Sequence, residues 1–123
     1  MEGMDRVLRK IEGIIARDPR FKFEAYSFVM AGLHHTVTKL KEPRHVTGKE
    51  LCEGLRDYAL EQYGPMARTV LEYWGIRCTD DFGSIVFHLV ESELLRKTEE
   101  DSSVDFENVY DFSQAFQYEI REE

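Results

Sequence analysis

Between Thr47 and Phe112 the sequence punctuates itself so closely that few chain paths remain open to it. Thr47-Gly48-Lys49-Glu50 reads as a capping box, in which the threonine hydroxyl takes a free amide of the first turn and the glutamate reaches back to the cap. Leu51, Leu55, Tyr58, Ala59 and Gln62 then follow one helical face as far as Gly64-Pro65, where glycine ends one helix and proline opens the next. Met66, Ala67, Val70, Leu71 and Trp74 leave room for only a short helix before Gly75, and Trp74 is expected to staple it by packing. Thr79 is expected to cap another helix, with Phe82, Ile85, Val86, Leu89 and Val90 on one side and Asp80 and Asp81 near its positive end. Leu94 to Thr98 and Val104 to Phe112 flank a polar turn, Glu99 to Ser103, and predict a short hairpin whose second arm alternates poorly through Glu107 to Val109. Helix, corner, short helix, helix and hairpin is the order of a winged-helix domain.

The preceding residues read as two helices. Val7, Leu8, Ile11, Ile14 and Ile15 share one face from about Met4 to Arg17, and Asp18-Pro19 stops the run because a residue before proline is pushed out of the α region. From Phe21 to Leu40 the residues Tyr26, Met30, Leu33, Val37 and Leu40 recur at helical steps, widened by Ala25, Phe28 and Val29, which predicts the central and most buried helix. Gly32 in its interior marks a helix crossing where another backbone passes close. Lys39 to His45 is a basic, proline-containing loop, and Ser113 is expected to cap a last short helix bearing Phe116 and Ile120. The expectation is one mostly α domain over residues 1–123, with about six helices and a small β-hairpin. Residues 1–42 form a helical pair, 46–112 a winged-helix-like half and 113–123 a short C-terminal helix.

A winged-helix domain would offer the helix after Thr79 to DNA, and charge argues against that use. Non-specific affinity for DNA comes from Lys and Arg neutralising phosphates. That helix opens Thr79-Asp80-Asp81 and carries Glu91 and Glu93 with no cation before Arg96, and the supposed wing begins Lys97-Thr98-Glu99-Glu100-Asp101. The net charge of −8 is unevenly spread: residues 1–50 hold 10 Lys/Arg against 7 Asp/Glu, and residues 51–123 hold 6 against 17. A nucleic-acid role would have to work through the basic first half, while the acidic second half suits a basic partner or plain solvation. The chain is 42% hydrophobic and 12% aromatic, enough to build one core without disulfide or metal. No stretch reaches the roughly 18 apolar residues of a membrane span, and charged residues interrupt the first segment where a signal peptide needs an apolar run, so the expected location is cytoplasmic.

Chemistry is harder to find. Cys52 and Cys78 belong to no CxxC pair and read as small buried hydrophobes. His34 and His35 are neighbours on a helix, so their side chains diverge by about 100° and cannot share a metal from one face. His88 has no His or Cys partner one turn away and reads as a structural residue. The acidic run from Glu99 to Asp111 lacks the glycine and spacing of a calcium loop. No GxSxG, GxGxxG or GxxxxGK[ST] is present. Catalytic, metal and cofactor residues are therefore assigned to none. An enzyme built on Glu24, His35 or His88 would need a closed pocket that leaves no local signature.

Arg44-His45-Val46-Thr47-Gly48-Lys49-Glu50-Leu51, Gln62-Tyr63-Gly64-Pro65-Met66-Ala67, Tyr73-Trp74-Gly75-Ile76 and Thr79-Asp80-Asp81-Phe82-Gly83 together resemble a family of short bacterial proteins. Glu24-Ala25-Tyr26, Phe28-Val29, Lys97-Thr98-Glu99-Glu100-Asp101 and Tyr110-Asp111-Phe112 extend the resemblance over nearly the whole chain. The family is a conserved hypothetical one first grouped in Planctomycetes and Verrucomicrobia, and the resemblance implies no activity, cofactor or catalytic residue. The functional expectation is a non-catalytic protein-interaction or regulatory module that binds a protein partner or itself, with no membrane role. Its candidate surface is Asp80, Asp81, Phe106, Tyr110 and Phe112, on the motive that a hairpin cannot fully bury those aromatics. A nucleic-acid-binding regulator and a small acid–base enzyme are the alternatives.

Overall fold

The computed structural model describes residues 2–42, 44–96 and 103–117, and among these the regular structure is entirely helical. The order is α1 (Glu2–Arg17), α2 (Phe23–Thr38), α3 (Gly48–Tyr63), a 3-10 turn (Gly64–Met66), α4 (Ala67–Tyr73), α5 (Thr79–Glu91), a second 3-10 turn (Ser103–Phe106) and the single turn α6 (Phe112–Ala115).

α1 stops where the proline requires: Asp18 N still donates to Ile14 O at 2.8 Å, and Pro19 has no amide to continue the ladder. Ile11 and Ile14 are its buried residues. α2 packs against α1, α3 and α5 and is central as expected. Its buried face is Ala25, Tyr26, Phe28, Val29 and Gly32, while α5 buries a larger share of itself through Thr79, Phe82, Gly83, Ile85, Val86 and Leu89.

The crossing expected at Gly32 is there, against α3, but a side chain fills the space. A Cβ on Gly32 would strike Leu55, and one on Gly54 would strike Thr36. The Thr36 hydroxyl donates to Gly32 O at 2.7 Å, so the threonine is held in the position that needs the α3 glycine. Two small residues on facing ridges set how closely the helices approach.

The capping box forms as the sequence predicts, with Glu50 N donating to Thr47 Oγ1 and Thr47 N donating to Glu50 Oε1, both at 3.1 Å. At the corner Gly64 adopts φ 51°, in the left-handed region that favours glycine. The seven-residue α4 is stapled as expected, because the Trp74 ring packs 5.7 Å from both Phe28 and Tyr63. Gly75 at φ 99° then turns the chain beside Arg20 O, and Lys22 N donates to Trp74 O at 3.0 Å.

The β-hairpin and the winged-helix-like half are corrected by the structure. Leu94 N closes back onto Leu89 O at 2.8 Å, with Glu93 at φ 61°, so the end of α5 turns away instead of extending into a strand. Residues 97–102, including the Lys97 to Asp101 segment of the expected wing, lie outside the described residues. The intended second arm coils into the Ser103–Phe106 turn, reverses at Asn108 (φ 47°) and ends in α6. A strand must pair its amides along a ladder, whereas here the α5 side chains take them: Asn108 N donates to Asp80 Oδ1 at 3.2 Å and Val109 N to Thr79 Oγ1 at 3.1 Å. The poor alternation through Glu107 to Val109 fits this coil better than a strand with one buried face.

Two caps also differ. Thr79 does not cap α5; Cys78 occupies that position without a side-chain bond, and the Asp81 carboxylate reaches back to Arg77 N at 2.8 Å. Ser113 does not cap α6; Asp111 does, accepting from Ser113 N at 2.8 Å. Ile120 lies outside the described residues.

Candidate functional site

The five residues expected to form an exposed surface do not form one. Phe106 is 3% exposed and Phe112 4%, and Phe112 sits in an aromatic cluster with Phe82, Tyr110 and Phe116 at 5.9, 6.0 and 4.9 Å. The half-buried Tyr110 donates its hydroxyl to Cys52 O at 2.7 Å. Phe106 enters a cradle of two glycines: a Cβ on Gly48 would lie 3.0 Å from its ring, and one on Gly83 would lie 2.8 Å from its own Cβ. Asp80 and Asp81 serve backbone amides, as described above. All of them except Asp81, which binds the adjacent Arg77 amide, help clasp the 103–112 segment to α3 and α5.

Thr79 is the pivot of that clasp. Fully buried, it donates its hydroxyl to Phe106 O at 2.7 Å and accepts from Val109 N at 3.1 Å. Both roles of the hydroxyl are used, across 27 and 30 residues of chain. A capping signal was the only local clue to it, and that signal pointed to the wrong bond.

A second polar arrangement joins the end of α1 to α2 and α5. The Tyr26 hydroxyl lies 3.1 Å from His88 Nδ1, His88 Nε2 lies 3.4 Å from Asp18 Oδ2, and Arg20 grips both Asp18 oxygens at 2.7 to 3.0 Å. Burial pushes the Tyr26 phenol up to about 12, while the Arg20 hydrogen bonds hold the Asp18 carboxyl below its ordinary range. The order tyrosine, imidazole, carboxylate resembles an acid–base relay, but the tyrosine is 0% exposed, so no substrate reaches its oxygen. The arrangement ties three segments together, and its partners are too far apart in sequence for spacing to reveal them.

The other candidates separate. His34 is exposed, whereas His35 packs 4.9 Å from the Tyr58 ring, with Nε2 3.3 Å from Glu61 Oε2 but outside hydrogen-bonding geometry. Glu24 is exposed on α2. Among the described residues, no group of three or more His, Cys, Asp or Glu side chains could hold a metal ion. Cys52 is buried as expected, its thiol pushed up to about 12 by desolvation, but Cys78 is exposed.

One cleft has the makings of a binding site. A cavity of about 220 Å³ opens between α2, α3 and α5. Leu33 and Val37 line it from α2, Leu51 from α3, and Val86 and Val90 from α5; Val46, Leu95 and Phe106 complete the apolar wall. Its charged lining among the described residues is Arg44 and Arg96, with His45 beside them. Arg44 is held by Glu50 through two bonds of 3.0 and 2.6 Å, Arg96 is exposed, and Asp105 lies against Gly48, which also lines the groove. The neighbouring clefts are more charged: one runs over His35, Lys39, Glu50, Glu53 and Asp57, another over Asp80, His88, Glu91 and Glu107.

No family model, curated protein or solved structure matches this chain. Among the described residues no helix is long and apolar enough to cross a membrane.

Proposed function

We propose that this chain is a non-catalytic interaction module that captures a segment of a partner protein in the groove between α2, α3 and α5. The observation that carries the reading is a cleft whose lining is mostly apolar and drawn from three helices, with Val37 36% exposed. Apolar clefts with a few polar groups at the rim are the default binding sites of small folds. The buried polar groups that could do chemistry, Tyr26 and Thr79, are committed to holding the fold. A single aliphatic or aromatic anchor buried there contributes about 1.5–3 kcal/mol, which suits a weak contact.

The test compares capture from lysate by the wild-type chain with capture by Val37→Glu and by an α1 control, Arg9→Glu. A partner retained by the wild type and the control but lost with Val37→Glu supports the groove. A partner lost equally with both charge changes, or with neither, removes it.

The nucleic-acid alternative has less to stand on. Arg20 and Arg44 are occupied by Asp18 and Glu50, and Lys22 lies over the Tyr73 ring at 5.0 Å. The remaining α1 cations Arg6, Arg9, Lys10 and Arg17 share a shallow cleft with Glu91 and Glu93. Heparin at low salt is expected to release the protein early; retention that falls steeply with salt would revive this reading. Kinship with the bacterial family resembled above is retained as a proposal without an activity. It requires members of that family to carry small residues at the positions of Gly48 and Gly83 and a hydroxyl at Thr79, and bulky residues there would dissolve it.

A further inference from the structure

We propose that the cleft holding the 103–112 segment accepts the same segment from a second copy of this chain, so that two molecules exchange it and form a dimer. The segment lies on α3 and α5 as a ligand would. Phe106 inserts its ring between the bare backbones of Gly48 and Gly83, where an added Cβ would lie 3.0 Å from that ring and 2.8 Å from the Phe106 Cβ. Thr79 then reads the segment's backbone, donating to Phe106 O at 2.7 Å and accepting from Val109 N at 3.1 Å. Asp80 Oδ1 accepts from Asn108 N at 3.2 Å, and the Tyr110 hydroxyl donates to Cys52 O at 2.7 Å. Each of these contacts needs only the segment and the cleft, so each forms equally well when the two come from different molecules. Exchange of an identical element therefore reaches a dimer with no new interface to build.

The end of α5 supplies the hinge. α5 stops at Glu91, and Glu93 sits at φ 61°, which lets Leu94 N close onto Leu89 O at 2.8 Å and turns the chain back. An L residue with a Cβ is strained in that region, and glutamate has neither the freedom of glycine nor the short polar side chain of asparagine. Asn108, the segment's own left-handed residue at φ 47°, is by contrast of the type that tolerates it. Relaxing Glu93 to an ordinary conformation undoes the reversal and carries the segment away from its own cleft. The strain relieved at two hinges per dimer offsets part of the freedom lost on association.

The full chain is refolded from urea at low and at high protein concentration and its mass is read by light scattering, with a dimer expected from the concentrated sample. Glu93→Val and Glu93→Gly remove the same exposed carboxylate and differ in backbone preference, since a β-branched residue resists φ 61° and glycine accepts it. The Glu93→Val chain is expected to dimerise at least about ten-fold more tightly than the wild type, and the Glu93→Gly chain more weakly. Two further variants test exchange directly. Phe106→Ala keeps the cleft and spoils the segment, whereas Thr79→Val keeps the segment and spoils the cleft. Refolded together, they are expected to form a heterodimer, resolved by native mass spectrometry, in excess over its statistical share, because only that pairing contains an intact clasp. A wild-type chain that stays monomeric after refolding at high concentration overturns the proposal, whether or not the variants fold. So does a dimer whose affinity is the same with Val and Gly at position 93, or a heterodimer no more abundant than chance.

Discussion

Thr79 makes two long-range hydrogen bonds through one buried oxygen. Thr79→Val keeps the shape but leaves Phe106 O and Val109 N without their buried partner, so urea unfolding should record a loss of about 2–3 kcal/mol, with Thr79→Ser retaining most of it. Equal losses for Val and Ser would mean that the hydroxyl contributes little. Tyr26 makes a prediction about pH. Its folded phenol is raised from 10.0 to about 12, so its stabilising contribution is complete below pH 10 and is lost as pH rises through 12. Two units correspond to about 3 kcal/mol, and Tyr26→Phe should flatten that part of a stability-against-pH curve. Asp18 has the opposite sign. Its folded pKa is lowered, so its contribution is present above the ordinary carboxylate value and lost on acidification through the folded one. The polar character of these residues was legible in the sequence. Their bonds were not, because each joins positions on separate elements.

At the scale of elements, local chemistry predicts best where an element's ends are self-contained. The capping box at Thr47 and the Gly64-Pro65 corner need only neighbouring residues, and both form. α4 shows the limit: seven residues do not sustain a helix alone, and Trp74 holds it against Phe28 and Tyr63. Trp74→Ala is expected to destabilise by about 2–4 kcal/mol and to release α4 amides to hydrogen exchange before those of α3. Simultaneous loss of protection in both helices would show that the staple is not local. The α2–α3 crossing gives a second expectation. Gly32→Ala drives a methyl into Leu55, and the overpacking should lower stability by about 1–3 kcal/mol despite the better helix propensity of alanine. A more stable Ala variant in thermal melts would show that Leu55 moves aside freely. The hairpin reading failed at this same scale. Val104 to Phe112 has hydrophobic residues but no paired strand among the described residues, and α5 supplies its hydrogen bonds instead.

For the whole molecule, burial makes the protein sensitive to alkali. Tyr26, Tyr110 and Cys52 all have raised pKa values with desolvation as the first cause, so each is easier to ionise unfolded than folded. Stability should therefore fall progressively as pH rises above 9, faster than Tyr26 alone accounts for; a curve flat to pH 11 in chemical denaturation would contradict this burial. The same burial redirects the functional reading. Phe106 and Phe112 looked like surplus aromatics for a partner, but Gly48 and Gly83 open a cradle for Phe106, and Phe82 and Phe116 enclose Phe112. The sequence by itself determined the long helices, the corner, the short stapled helix and the uneven charge, because caps, glycines, prolines and apolar spacing act within a few residues. Only the tertiary structure decided that the last segment coils against α5, that Thr79 is its clasp, and that an apolar groove lies between α2, α3 and α5. Those features depend on which distant residues share a volume, a matter settled by packing all the elements at once.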